Sequence, residues 1–333
     1  MIVRSRSGAA LRLALLAAAG VCVTACGGGG GGGGGPVLPT PSTPTTPTPP
    51  TTPVDPRGTT NPSLPLNPPS VSSGEYRRSY VLGAIHADTA YALGATGKGI
   101  TVAVIDTGYD PSGADMQGAY SSASTDIISS RNTPVATERH GVEIAGIIGA
   151  RFNGRGTIGV AYESTILSVR ADQVPAAGCT SECDGFLETD SARAIDYAVA
   201  NGARVINLSF GGEDASSNTF RAAVQRAIAA GVVFTASAGN EGDALDHWPA
   251  HLAAENGFVG SLLSIGSTKA DGGMSSFSNK AGSSAVGYLT APGEDLITDC
   301  DAAQSCWRVS GTSFSSPVVA GALALLLQYF PNL

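Results

Sequence analysis

The sequence predicts an α/β domain with a mostly parallel central sheet from about residue 74 to the end of the chain. Three observations support this class. Apolar runs alternate with helical patterns, the run at 99–105 is typical of a buried strand, and two amphipathic stretches end at Gly202 and Gly231. Glycine is a frequent helix C-cap, so these two positions mark helix ends.

The elements follow one another in the order that a parallel sheet needs. Helices are predicted at 141–150, 188–201 and 218–230, and strands at 99–105, 164–170, 205–209, 232–237 and 262–268. The last apolar run, VVAGALALLL, has ten residues, too few for a membrane span, and indicates a central buried helix. Functional groups of such sheets gather at the C-terminal ends of the strands, where candidate residues are therefore expected.

Residues 1–25 have the pattern of a bacterial signal peptide. Three arginines precede an apolar stretch at 13–23, and small residues follow. The ending Val23-Thr24-Ala25-Cys26 resembles a lipobox, which implies cleavage before Cys26 and lipid on that cysteine. The protein would then be an exported lipoprotein of the outer membrane or cell surface of a bacterium. An ordinary signal peptide with a chance cysteine is the alternative.

Residues 26–73 predict a disordered tether. Nine glycines at 27–35 precede a segment rich in Pro, Thr and Ser, which cannot bury a core. Removal of the three leader arginines leaves 16 basic against 27 acidic side chains, a formal charge of −11. This acidity argues against nucleic acid as a partner and against electrostatic docking on anionic lipid, so membrane attachment would come from acyl chains.

Four cysteines lie in the predicted domain. Export permits disulfides, and the four residues allow three connectivities. Pairing within each local couple, Cys179 with Cys183 and Cys300 with Cys306, is the favoured arrangement. A four-cysteine zinc site is the alternative, although these spacings are a poor match to a zinc ribbon.

Four polar residues stand at places where chemistry is expected. Asp106 follows the first strand within Asp-Thr-Gly, a tripeptide of aspartic proteases, which need two copies; a homodimer could supply the second. His140 opens a helix, where a polar starting residue is the structural alternative. Asn240 follows the strand at 232–237 and could be a turn residue. Ser313 could be a helix N-cap, with Pro317 in the first turn of that helix, and its surroundings do not match the G-x-S-x-G of α/β-hydrolases.

Together, in the order Asp, His, Asn, Ser, these residues and their surroundings resemble the subtilisin (subtilase) family of serine proteases. The resemblance covers residues 90–333 and rests on seven motifs: VAVIDTG (102–108), HGVEIAGIIG (140–149), INLSFGG (206–212), SAGNEG (237–242), SFSN (276–279), APG (291–293) and GTSFSSPVVAG (311–321). It implies a three-layer fold with helices on both faces of the sheet.

The resemblance also implies the catalytic roles. Ser313 would be the nucleophile of an endopeptidase, His140 its general base and Asp106 the group that orients the imidazole. The Asn240 side chain and the Ser313 N–H would bind the oxyanion. No cofactor would be required, and the substrates would be proteins or peptides.

The substrate subsites are implied in the same way. Ser209, Phe210 and Gly211 would form an edge for the substrate backbone, while Ala238 and Gly239 would line the floor of the first specificity pocket. Phe210 could shape an apolar subsite or be an exposed aromatic at the rim. Structural calcium is frequent in the family but cannot be placed here. The histidines at 247 and 251 have i,i+4 spacing, but the proline between them opposes a metal-binding helix.

The chain departs from the family pattern in three respects. Val142-Glu143 stand where the family usually has Thr-His, so a catalytically weak or inactive lipoprotein that acts as a binding module is the alternative function. A Pro/Thr tether occupies the position of a folding prodomain. The chain ends at Leu333, so we expect a domain truncated at its C-terminus with uncovered apolar surface. It could also be a piece of a longer protein, such as the protease passenger of an autotransporter.

Overall fold

The computed structural model describes residues 68–174, 185–212, 217–282 and 285–333. The predicted signal peptide, its Cys26 and the tether up to residue 67 lie outside the described residues, as do Cys179 and Cys183. The domain boundaries, lipidation and the 179–183 disulfide therefore stay predictions.

Seven parallel strands form the central sheet in the order β2-β3-β1-β4-β5-β6-β7. Their bounds are β1 Thr101–Asp106, β2 Thr125–Asp126, β3 Thr165–Arg170, β4 Val205–Leu208, β5 Val233–Ser237, β6 Leu262–Thr268 and β7 Tyr288–Pro292. A separate antiparallel hairpin pairs β8, Leu296–Thr298, with β9, Trp307–Val309. The strand order reverses on either side of β1, and such a reversal opens a crevice at the C-terminal ends of the strands.

The α-helices of the described residues are α1 Gly74–Arg78, α2 Val81–Ala84, α3 Ala87–Ala92, α4 His140–Gly149, α5 Glu188–Ala200, α6 Asn218–Ala229 and α7 Thr312–Tyr329. The elements predicted before the final helix lie within two residues of these bounds. The short helices α1 to α3 and the strands β2, β7, β8 and β9 were not predicted. Strands β2, β8 and β9 have two or three residues, and β7 is partly exposed, so it lacks the continuous apolar run of β4.

Strand β1 shows how the sheet separates two cores. Val102 and Val104 point to one face and join the core that contains α4 and α7. Ala103 and Ile105 point to the other face, where α5 and α6 cover the sheet. Alternate residues of a strand face opposite sides, so a strand covered on both sides is apolar throughout. The three-layer α/β architecture is thereby confirmed.

Helix α7 is a buried helix of the core, as the sequence predicts. Its 18 residues are long and apolar enough to cross a membrane, but 72% of that window is buried inside the domain. Pro317 is the sixth residue of α7, so its predicted place in the first turn is wrong. Proline has no N–H to donate to the carbonyl four residues earlier. That carbonyl, of Ser313, instead accepts a hydrogen bond of 2.7 Å from the Ser209 hydroxyl.

The end of α7 is tied to the segment that precedes β1. The Gln328 side-chain oxygen accepts hydrogen bonds from the backbone N–H groups of Thr96, at 2.7 Å, and Gly97, at 2.6 Å. Leu326 and Leu333 are exposed near this end. Truncation of the domain stays a prediction.

Candidate active site

Asp106 and His140 come together where β1 ends and α4 begins. Asp106 is fully buried, and its two carboxylate oxygens lie 2.8 and 3.1 Å from Nδ1 of His140. The backbone N–H of Thr107 donates to the same carboxylate at 2.7 Å, and the Thr107 hydroxyl accepts from the N–H of Gly141 at 3.0 Å. Thr107 and Gly141, the residues that follow Asp106 and His140, are thus hydrogen-bonded to each other, and this contact fixes the distance between Asp106 and His140.

The electrostatics of this pair favour the protonated imidazole. Burial by itself lowers the pKa of His140, because a charged group loses its hydration. The negative charge of Asp106, its hydrogen bond and the charge of Glu143 outweigh burial and leave the pKa of His140 above its ordinary value of 6.5. An imidazolium formed during proton transfer would therefore be stabilised.

Ser313 is the second residue of α7, the helix whose first turn approaches the imidazole. The ring of the next residue, Phe314, has its centroid 5.5 Å from that of His140. The Ser313 hydroxyl donates to the Ser209 carbonyl at 3.1 Å. In the described part of the chain the imidazole hydrogen-bonds only to Asp106. The hydroxyl is thus turned toward the end of β4 in this state, and contacts of this kind often tighten only when substrate binds.

Asn240 is oriented by the first turn of α7. Its side-chain oxygen accepts from the Thr312 N–H at 2.8 Å and from the Thr312 hydroxyl at 3.0 Å. The amide nitrogen of Asn240 therefore points away from Thr312, and it has no hydrogen-bond acceptor among the described residues. A free N–H₂ next to the N-terminus of a helix that bears Ser313 is suited to bind developing negative charge.

The segment Ser209, Phe210 and Gly211 runs out of β4 along one side of Ser313. Of the two alternatives left open for Phe210, the exposed aromatic at the rim is wrong, because this ring is 5% exposed and stacks on Phe186 with centroids 4.1 Å apart. Phe210 packs in the core below α5 and α6, and the exposed residue is Gly211. A Cβ atom on Gly211 would lie 2.0 Å from the Trp248 carbonyl oxygen, so only glycine fits there.

Ala238 and Gly239 follow β5, and Gly239 contacts the first turn of α7. The Gly239 carbonyl accepts from the Thr312 hydroxyl at 3.3 Å, and Ser209 contacts Ser313 as described above. Ala238 is buried, with its carbonyl accepting from the N–H of His247 at 2.9 Å. The two segments predicted to bind substrate therefore both contact the first turn of α7.

Glu143, one of the two residues of α4 that depart from the family pattern, is partly buried and lies near Arg139. The Glu143 carboxylate has a raised pKa, because burial disfavours its charge. Arg139, directly before His140, approaches Glu143 at 4.0 Å, forms an ion pair with Asp299 and lies with its guanidinium 4.3 Å from the Trp307 ring centroid. The β8–β9 hairpin is thus attached to the helix that carries the histidine.

The loop between β8 and β9 contains one of the two predicted local cysteine pairs. The sulfur atoms of Cys300 and Cys306 lie 2.11 Å apart, which is disulfide-bonding distance. Among the described residues no group of three or more His, Cys, Asp or Glu side chains could hold a metal ion. Calcium binding stays a prediction without a place.

The sequence reasoning missed four residues that support this site. Each is small or polar, belongs to no periodic pattern and acts through a contact that only the folded chain creates: Thr107, Glu241, His247 and Thr312. Three of them are direct sequence neighbours of predicted site residues, and this position was the one available signal: Thr107 follows Asp106, Glu241 follows Asn240 and Thr312 precedes Ser313.

Comparison with known proteins identifies the family of the chain. The pattern of the subtilase family matches residues 97–333, and this range includes Asp106, His140, Asn240 and Ser313. The chain belongs to the subtilase family. Subtilisin DY of Bacillus licheniformis is 30% identical over 257 residues, which are 76% of this chain and 86% of that protein.

Two further relatives are matched over a smaller share of their own length. Subtilisin NAT of Bacillus subtilis subsp. natto is 30% identical over 263 residues, which are 78% of this subtilase and 64% of that protein. The "Thermophilic serine proteinase" of Bacillus sp. (strain AK1) is 34% identical over 274 residues, 81% of this chain and 63% of the relative. The chain thus spans less than two thirds of these two proteins.

Proposed function

We propose that this subtilase is a serine-type endopeptidase with Asp106, His140 and Ser313 as its catalytic triad. The observation that carries the proposal is the buried contact of 2.8 Å between Asp106 and His140. The ring of Phe314, the residue after Ser313, packs against this imidazole and supports the assignment of Ser313. A buried carboxylate on Nδ1 holds the other ring nitrogen as the one that can accept a proton.

The reaction follows from these positions. Ser313 Oγ attacks the carbonyl carbon of the scissile peptide while Nε2 of His140 takes the hydroxyl proton. Asn240 and the Ser313 N–H donate to the oxyanion. Collapse of the tetrahedral intermediate breaks the C–N bond, and His140 gives its proton to the leaving amine. Water then hydrolyses the acyl-enzyme ester by the same steps in reverse order.

The proposed substrates are proteins or peptides bound in an extended conformation. The backbone at Ser209–Gly211 leads away from Ser313 with an exposed end at Gly211, and a peptide strand can add to such an edge. The segment Ala238–Gly239 also contacts the first turn of α7 and would contact the side chain on the acyl side of the scissile bond.

Labelling by a serine-directed fluorophosphonate tests this function. The wild-type protein should be labelled and should hydrolyse a casein or peptide-library substrate, and Ser313→Ala should abolish both. Ser310→Ala is the matched control, because Ser310 is exposed three residues away and should leave labelling intact. A folded wild-type protein that binds peptides but is neither labelled nor active would favour the binding module, to which the Val142-Glu143 departure also points.

We further propose that the protein is exported and anchored through lipid on Cys26. The basic leader, the apolar stretch and the small residues before Cys26 support this. Metabolic labelling with an alkyne palmitate in a bacterial host should mark the wild-type chain in the membrane fraction. Cys26→Ala should remove the label and release the protein, and retention of the variant in the membrane would contradict the anchor.

A further inference from the structure

The loop after β5 contains a carboxylate that holds the residue proposed to bind the oxyanion. One oxygen of Glu241, Oε2, accepts from the backbone N–H of Asn240 at 2.7 Å and from the side-chain amide of Asn279 at 3.1 Å. The same oxygen lies 3.3 Å from Nδ1 of His247. The side chain folds back beneath Gly239, whose φ is +111° and where a Cβ atom would meet that oxygen at 2.8 Å.

His247 lies between two carboxylates. Nδ1 faces Glu241, and Nε2 lies 3.0 Å from Oδ2 of Asp243. The ring is 13% exposed, while the Glu241 side chain is 26% exposed. Each ring nitrogen of His247 therefore faces one carboxylate oxygen. The backbone N–H of His247 donates to Ala238, and the next residue, Trp248, pairs with Gly212.

Asn240 is consequently held from two directions. Its side-chain oxygen is bound by Thr312, as shown above, and its backbone N–H is bound by Glu241. Rotation of the backbone at Asn240 would move the free amide nitrogen away from Ser313. A group that acts in the transition state must be held within about 0.5 Å of its productive position, which surrounding contacts have to ensure.

We propose that Glu241, held by His247 and Asn279, is the positioning residue that aims the Asn240 amide at the oxyanion. This inference rests on the proposed endopeptidase function, and Glu241 would act through Asn240 rather than on the reacting atoms. Because Asn240 would act in the transition state, loss of its position should lower kcat and leave ground-state binding nearly unchanged.

Steady-state kinetics on a peptide substrate test the proposal. Glu241→Ala should lower kcat about tenfold while KM changes by less than about twofold, and Glu241→Gln, which keeps an acceptor oxygen, should recover part of the loss. His247→Gln should lower kcat in the same direction. His251→Gln is the matched control. His251 also faces a glutamate, Glu255, at 4.0 Å, but it does not contact Glu241.

A double-mutant cycle separates positioning from general stability. In the Asn240→Ala background, Glu241→Ala should lower kcat by less than about twofold, because the group that it positions is gone. An equal, additive loss in that background would overturn the proposal, as would an unchanged kcat in the single variant. If Glu241→Ala does not fold, the same cycle is measured with His247→Gln in place of Glu241→Ala, and the same two outcomes support or overturn the proposal. Wild-type labelling at Ser313 is the prior condition, so a protein that is never labelled refutes the function rather than this inference.

Discussion

Replacement of Gln328 by leucine should weaken the contact between the end of α7 and the chain before β1. The side-chain oxygen of Gln328 accepts two backbone N–H groups, and leucine of similar size accepts neither. Thr96 and Gly97 are both buried, so their N–H groups would lose hydrogen bonds without gaining water. A buried unsatisfied donor costs about 1–3 kcal/mol, so the free energy of unfolding should fall by about 2–6 kcal/mol.

Thermal unfolding measures this loss. For a domain of this size each kcal/mol corresponds to a few degrees, so the melting temperature should fall on the order of 10 °C. The measurement is made in the Ser313→Ala background, which prevents self-digestion during heating. Leu326→Ala is the control, because Leu326 is 42% exposed on the same helix and should shift the melting temperature much less. A Gln328→Leu variant that melts with or above this control would refute the reasoning.

Three further predictions concern pH and packing. His140 must be neutral to accept a proton, so its raised pKa means that kcat/KM should begin to fall on the acid side at a pH above 6.5. Glu143→Gln removes a negative charge near the imidazole and should shift this fall to lower pH. An unchanged pH profile of kcat/KM would contradict this. Burial raises the pKa of Asp115 to about 6, so the folded state binds this proton more tightly than the unfolded chain, and stability should rise as pH falls from about 6 toward 3.8. Asp115→Asn should be the more stable protein at pH 8 in denaturant titrations, and a pH dependence identical to wild type speaks against the assignment. Gly321→Ala would place a Cβ atom 2.6 Å from that of Val160 and should lower the free energy of unfolding by about 1–3 kcal/mol in the same titration. An unchanged free energy of unfolding would contradict this.

The motifs predicted where the candidate residues lie along the chain, and the fold brings Asp106 to His140 and Asn240 to the first turn of α7. Asp106 stands at the end of a continuous apolar strand, and His140 opens an apolar helix, so both positions were visible as breaks in a pattern. The orientation of the Ser313 hydroxyl toward Ser209 could not be predicted, because it depends on two residues separated by 104 positions.

Phe210 shows the opposite kind of limit. An aromatic residue after a strand can face a subsite or the core, and the sequence left both possibilities open. The structure places the ring against Phe186 and Trp248, which come from two other segments of the chain. Phe210 is buried because of those two neighbours, and the residues next to it in the sequence do not indicate this burial.

The sequence by itself determined the fold class, the order of the elements and the residue types of the candidate site, because strands and helices impose local periodicities and catalysis requires particular functional groups. Only the tertiary structure decided how those groups are held. The Asn279 side-chain amide donates to the Glu241 carboxylate, and Thr107 ties the strand of Asp106 to the helix of His140. Such contacts join residues that are distant in the chain, and a hydrogen bond between them leaves no periodic trace in the sequence.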